Sequence, residues 1–521
     1  MLHRSRFGSC GRGQSLPFVG GLALVAISCT GQVGEVANPA PGPGVGGQLP
    51  RPGAPGEVVG VGGESGSAGS GGAGVDAGSG GGGTGGGASG VDGGAIGGGA
   101  GMGMATEPVH GLAIADVAIY QAVKVDLSKM GQPLTMLDTP LVANRPAYIR
   151  VFVTPDAGWQ PRPVVARLSW AGGTVMKEVT ASIAKPSADA DLTTTLNFSL
   201  TAEQMPVTID WAVSLFEAPG QTGAGSTTGA KLPIDGTPAK VSGVVPAPVV
   251  KITFVPIRYG GDGSGRLPDT SPTQIKFLTD AMFLTYPISK VEATVRAPMD
   301  ANYQIAAMGT NWDRIVNDIC TLRQMDRPAR NVFYYGLLAP ATSAQAYCGR
   351  GCVEGVAALA QYPNDDFPRC SMGLGFTGQG TGVFLQEVAH SMGRPHAPCG
   401  NPGGVDRMFP YQTGKIGTWG FDLTRERLVN PTTTSDFMSY CQPVWISDYT
   451  FRRLLSWIVS VNGLAPSIAS SPALPELATV RPDLPTTSSS AAIDVAAPRF
   501  AAADWRVVTV EADGTLIWGK V

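Results

Sequence analysis

The stretch that most constrains this chain is Gln386-Glu387-Val388-Ala389-His390-Ser391-Met392-Gly393-Arg394-Pro395-His396. Residues four apart on an α-helix lie about one turn apart, so the side chains of Gln386 and His390 can converge on a single ion. Glycine tolerates backbone conformations that strain other residues. Gly393 can therefore end the helix and swing His396 back toward the same point. Glu387 stands next to that point, where a carboxylate can act as a general base.

Downstream, Asp436-Phe437-Met438-Ser439-Tyr440-Cys441 adds a second element, and the two segments together resemble the metzincin class of zinc endopeptidases. The resemblance implies a helix with two histidine ligands, a glycine turn and a third histidine, above a methionine turn. It assigns His390 and His396 to zinc, Glu387 to the general base, Gly393 to the helix-ending turn, Met438 to the methionine turn, and Tyr440 to the zinc or the developing oxyanion. Gln386 occupies the position of the first histidine. Its neutral carbonyl is a weaker donor than the imidazole, thiolate or carboxylate groups that usually hold zinc. Neither His3 nor His110 is a convincing replacement. Two outcomes stay open: a zinc-dependent endopeptidase with a degenerate site, or an inactive pseudopeptidase that uses the old cleft as a surface binding protein. The segments His396-Ala397-Pro398-Cys399-Gly400, Ile416-Gly417-Thr418-Trp419-Gly420 and Trp445-Ile446-Ser447-Asp448-Tyr449 resemble a group of secreted bacterial metallopeptidases. Some of these cleave mucin-type glycoproteins, which implies an extracellular protein or glycoprotein substrate.

Of the eight cysteines, Cys10 and Cys29 fall near the N-terminus, leaving Cys320, Cys348, Cys352, Cys370, Cys399 and Cys441. In an exported protein these read as up to three disulfides, with fifteen connectivities available. The resemblance brings the third-ligand segment and the methionine turn together, which implies a Cys399–Cys441 pair. Cys348-Gly349-Arg350-Gly351-Cys352 lacks the second ligand pair of a structural zinc site.

Arg4, Arg6 and Arg12 precede the apolar stretch from Leu16 to Ile27, which reads as an export signal over residues 1–28. Ala26-Ile27-Ser28-Cys29 resembles the lipobox of bacterial lipoproteins, with Cys29 as the lipidated residue; ordinary cleavage with a free secreted product is the rival reading. The product is thus placed on the outer membrane or cell surface, or outside the cell, with membrane contact only through the lipid. Residues 29–107 are dominated by Gly, Ser, Ala and Pro and cannot bury enough apolar surface to order themselves. A tether of about 75 residues has an end-to-end distance of roughly 45–50 Å. With a net charge of −3 and no basic run, nucleic-acid binding has no support, and a monomer is expected.

The remainder predicts a multidomain protein: a β-sandwich over 108–245, an α/β metzincin-like domain over 246–464, and a linker with a small β-module over 465–521. Alternation at Ile149, Val151 and Val153 and at Val207, Ile209, Trp211, Val213 and Leu215 marks half-buried strands. In the second region the order is a strand over Val250–Pro256, a helix from Pro272 to about Tyr286, a strand over Val291–Val295, a helix over Asn311–Met325, and strands over Val332–Leu338 and Met372–Phe376 before the motif helix. A last helix is expected over Ser447–Val461. Asp513-Gly514 marks a hairpin. Asp262-Gly263-Ser264-Gly265 and Asn364-Asp365-Asp366 are acidic turns that could join Ca2+ sites, although plain surface turns are the simpler reading.

Overall fold

The computed structural model describes residues 105–464, together with the backbone of the short strands Ile27–Ser28, Trp505–Val510 and Leu516–Lys520. The rest of the expected export signal, the lipidation residue Cys29, nearly all of the tether and the 465–504 linker lie outside the described residues. The last two strands pair antiparallel, Trp505 opposite Lys520, on either side of Asp513-Gly514.

Two antiparallel sheets come first. One runs Leu196–Leu200, Ala147–Pro155, Leu112–Tyr120 and Lys124–Asp126; the other runs Lys231–Leu232, Ile209–Glu217, Arg162–Trp170 and Val175–Ile183. Ile149, Val151 and Val153 from the first and Trp211, Val213 and Leu215 from the second are buried in the same apolar cluster. Period-two alternation therefore turns one face of each sheet inward.

The following sheet is mixed. We label five of its strands β1 (Val249–Tyr259), β2 (Lys290–Val295), β3 (Val332–Leu338), β4 (Gly355–Ala357) and β5 (Cys370–Leu374). Their order is β4-β5-β3-β1-β2, parallel except for β4, which is antiparallel to β5. Ile27–Ser28 pairs antiparallel with β4. A parallel sheet is covered on both faces, and β1 accordingly buries apolar side chains on both. Its Ile252 and Phe254 face one cluster, while Val255, Ile257 and Tyr259 face another.

Five α-helices lie among the described residues: α1 (Pro272–Thr285), α2 (Trp312–Asp326), α3 (Ala344–Cys348), α4 (Thr381–His390) and α5 (Asp448–Asn462). Ser271 caps α1 by accepting from the Gln274 N–H, with Pro272 in the first turn. Ser447 caps α5 through the Thr450 N–H. Helix α2 covers one face of the sheet with Ile315 and Ile319. Phe384 of α4 covers the other, edge-on to Tyr335 of β3 at 4.8 Å between ring centroids.

The two N-terminal sheets are joined to this unit along a continuous seam. The Trp445 indole donates to Ala122 O at 2.9 Å, Phe421 N–H donates to the same carbonyl at 3.0 Å, and Tyr148 stacks on Phe421 at 4.3 Å. The fully buried Arg145 donates to Ile288 O and Leu284 O, and burial pushes its guanidinium down to about 9.

Candidate functional site

Strand β5 leads into α4, which carries Gln386, Glu387 and His390 into the interior; their exposures are 2 %, 0 % and 0 %. Gly380 precedes the helix with φ 91°, and α4 ends at His390. Three residues on, Gly393 has φ 71°, and a Cβ there would meet the Trp457 ring and Ala360 O. Only glycine fits this turn, and the turn sends the chain back to His396, which is also fully buried.

The two imidazoles then meet. His390 Nε2 and His396 Nε2 are 3.2 Å apart, with the rings edge to face at 4.6 Å. Each opposite ring nitrogen faces a backbone carbonyl: His390 Nδ1 is 2.5 Å from Arg394 O, and His396 Nδ1 is 2.6 Å from Gly403 O. A carbonyl only accepts, so both Nδ1 atoms carry the hydrogen and both Nε2 atoms direct lone pairs at one another. Burial pushes both rings below the usual histidine range, His390 well below it and His396 to about 4. For His390 the neighbouring His396 adds to the effect, and the Arg394 carbonyl opposes it. A shared proton is thus disfavoured, and a metal cation suits the space between the lone pairs. Two nitrogens bound to zinc at about 2.0–2.1 Å in tetrahedral geometry stand about 3.3 Å apart.

Glu387 lies against strand β4. A Cβ on Gly355 would come within 2.9 Å of Glu387 Oε1 and would also collide with Val383, so the bare backbone of β4 is what lets the carboxylate sit there. The Tyr286 hydroxyl donates to Leu385 O at 2.6 Å. Burial, reinforced by Asp436 and Glu387, keeps that phenol neutral by raising its pKa well above the usual value.

The segment carrying Met438 and Tyr440 is anchored by the fully buried Asp436, which accepts from the Met438 N–H at 2.8 Å and the Ser447 N–H at 2.9 Å. Burial raises its pKa, while the hydrogen bonds from Ser447, Met438 and Thr450 oppose the rise. Met438 is 1 % exposed. The Ala397 N–H donates to Met438 O at 3.0 Å, and the Tyr440 ring packs edge-on to His396 at 5.0 Å. A disulfide joins Cys399 to Cys441 across this contact, with Cα atoms 5.7 Å apart. The other two disulfides are Cys320–Cys370 and Cys348–Cys352. Glu354 lies close to the last pair, whose sulfurs are consumed by their own bond.

The acidic turns considered for Ca2+ are otherwise engaged. Asp262 accepts from Ser264 and Arg266. Asp365 accepts from the Gln361 and Tyr362 N–H groups, and Asp366 pairs with the buried Arg323 and Arg369. His110 sits against Glu217 among the N-terminal sheets. Sequence reasoning missed the two carbonyls that orient the histidines, because backbone groups leave no residue signature.

Residues 357–448 match the Peptidase M66 family. No curated protein matches the chain. The matched segment runs from the end of β4 through both histidines and the methionine segment to the start of α5. This match supports a metallopeptidase family and with it a metal cofactor, for which zinc is typical.

Proposed function

We propose that the protein is an exported zinc metalloendopeptidase of metzincin type, anchored through Cys29 and acting on extracellular proteins or glycoproteins, with a degenerate metal site. The observation that carries this reading is the 3.2 Å approach of two buried Nε2 atoms whose Nδ1 atoms are both committed to carbonyls. His390 and His396 would hold the metal, and Gln386, one turn before His390 on α4, would offer at most a neutral amide oxygen. Zinc, when bound, supplies a Lewis acid that polarises the scissile carbonyl and lowers the pKa of water. The chain's own groups do the rest. Glu387 takes the proton of the attacking water and delivers it to the leaving amine, Tyr440 donates a hydrogen bond to the developing oxyanion, and β4 and Gly355 leave room at the carboxylate. The domain division at residues 108, 246 and 465 belongs to the same proposal.

One observation favours a second reading. Gln386 stands where the resemblance puts the first ligand, and exchanging a ligand should cost at least the roughly 10–100-fold that loss of an outer-shell partner costs. The protein would then be a surface binding protein. The test is hydrolysis of a denatured protein and a mucin-type glycoprotein by the full chain, beside Glu387→Ala and Gln386→His. Zinc-dependent cleavage that Glu387→Ala abolishes supports the peptidase. Cleavage by Gln386→His alone supports the binding protein.

A further inference from the structure

The two carbonyls that aim the histidines come from different segments, and one side-chain network joins them. The Arg394 carbonyl holds His390. The Gly403 carbonyl, which holds His396, lies on a loop that doubles back along the segment carrying His396: His396 N–H donates to Gly404 O at 3.3 Å and Asp406 N–H donates to His396 O at 2.8 Å. Asp406 closes that loop. Its Oδ1 accepts from the Met408 N–H at 2.9 Å, and its Oδ2 accepts from the Tyr449 hydroxyl at 2.9 Å. The same Oδ2 lies 4.0 Å from the Arg394 guanidinium, and both side chains are 14 % exposed. Tyr449, on α5, also carries Arg453 over its ring and packs against Phe409. At such low exposure the attraction is screened little by water, and Asp406 touches neither imidazole.

We propose that Asp406, through Arg394 and Tyr449, is a positioning residue of the histidine pair, fixing the Gly403 loop against residue 394 so that both Nε2 atoms aim at one point. The inference rests on the metal reading of that pair. A sequence pattern of ligands does not contain it, since Asp406 lies ten residues beyond His396 and acts only through backbone carbonyls. Metal-ligating histidines usually donate their second N–H to such a partner, and disturbing that partner costs roughly 10–100-fold in metal affinity.

The experiment uses the full chain with Asp406→Asn, Asp406→Glu and Tyr449→Phe. Asparagine keeps an acceptor for the Met408 N–H but loses the charge that faces Arg394. Zinc affinity is read by competition with a chelating indicator. The imidazole tautomers of the metal-free protein are read by NMR after histidine-selective 15N labelling, which four histidines make tractable. The expected result is an affinity loss of about 10–100-fold in Asp406→Asn, a smaller loss in Tyr449→Phe, partial rescue in Asp406→Glu, and a shift of His396 away from the Nδ1–H tautomer. Unchanged affinity and tautomer in Asp406→Asn would overturn the proposal. If the wild type holds no zinc, the metal reading fails, and the tautomers alone decide the positioning role: a shifted His396 supports it and an unshifted one overturns it. If Asp406→Asn does not fold, Tyr449→Phe decides by the same two readouts.

Discussion

Gly393 is the point on which the histidine geometry turns, and the cost of filling it can be worked from its surroundings. An alanine Cβ would lie 2.6 Å from Trp457 Cζ3 and 2.9 Å from Ala360 O, on a backbone at φ 71°. The left-handed conformation costs an L-residue about 1–2 kcal/mol. Forcing a methyl group into a packed site adds about 1–3 kcal/mol. Gly393→Ala should therefore destabilise the metal-free protein by about 2–5 kcal/mol, read from the urea midpoint at unchanged slope. A double-mutant cycle separates the contributions. In a Trp457→Leu background the ring contacts vanish while the Ala360 O contact stays, so Gly393→Ala should cost less there, leaving a coupling of up to about 3 kcal/mol. A loss under about 0.5 kcal/mol in the wild-type background, against the 2–5 kcal/mol expected, would refute the argument. So would the same loss in both backgrounds.

Asp436→Asn exchanges an acceptor-only carboxylate for an amide that turns a donor toward the Met438 or Ser447 N–H; a loss of about 1–3 kcal/mol is expected in denaturant unfolding. Arg145→Met strands two carbonyls at the seam with the N-terminal sheets, Leu284 O and Ile288 O, and should cost about 2–5 kcal/mol. The same seam predicts that residues 246–464 alone, having lost the Ala122 partner of Phe421 and Trp445, show faster hydrogen exchange at Phe421 than the full chain does; equal rates would count against the seam. Peptide mapping without reduction should return Cys320–Cys370, Cys348–Cys352 and Cys399–Cys441, and any other partner for Cys399 would contradict the site.

Elements with a strong local signal were legible in the sequence. Strand β1 is rich in apolar residues, α1 opens with Ser271 and Pro272, and α5 follows the Ser447 cap; each lies within a few residues of its expected span. The expected strand over Met372–Phe376 instead runs over Cys370–Leu374, because pairing with Tyr334–Leu338 sets its limits. Strand β4 was not legible at all. Three residues are too few to show a period, and its place is fixed by pairing with β5. The seam was hidden for a different reason: Ala122 bonds as a backbone carbonyl, at φ 79°, and its partners lie about 300 residues away. At the site, residue types and spacing pointed to His390, His396 and Glu387. The carbonyls of Arg394 and Gly403, and the carboxylate of Asp406 that joins them, emerge only when the chain is folded.

The most direct test of the central claim is the zinc content of the purified full chain by elemental mass spectrometry after brief dialysis, beside His390→Ala, His396→Ala and Gln386→His. Two facing lone pairs in a buried site predict about one zinc per chain in the wild type and in Gln386→His, and none in either alanine variant. Zinc in Gln386→His alone would contradict the claim and leave the protein as a binding module that lost its metal with its first histidine.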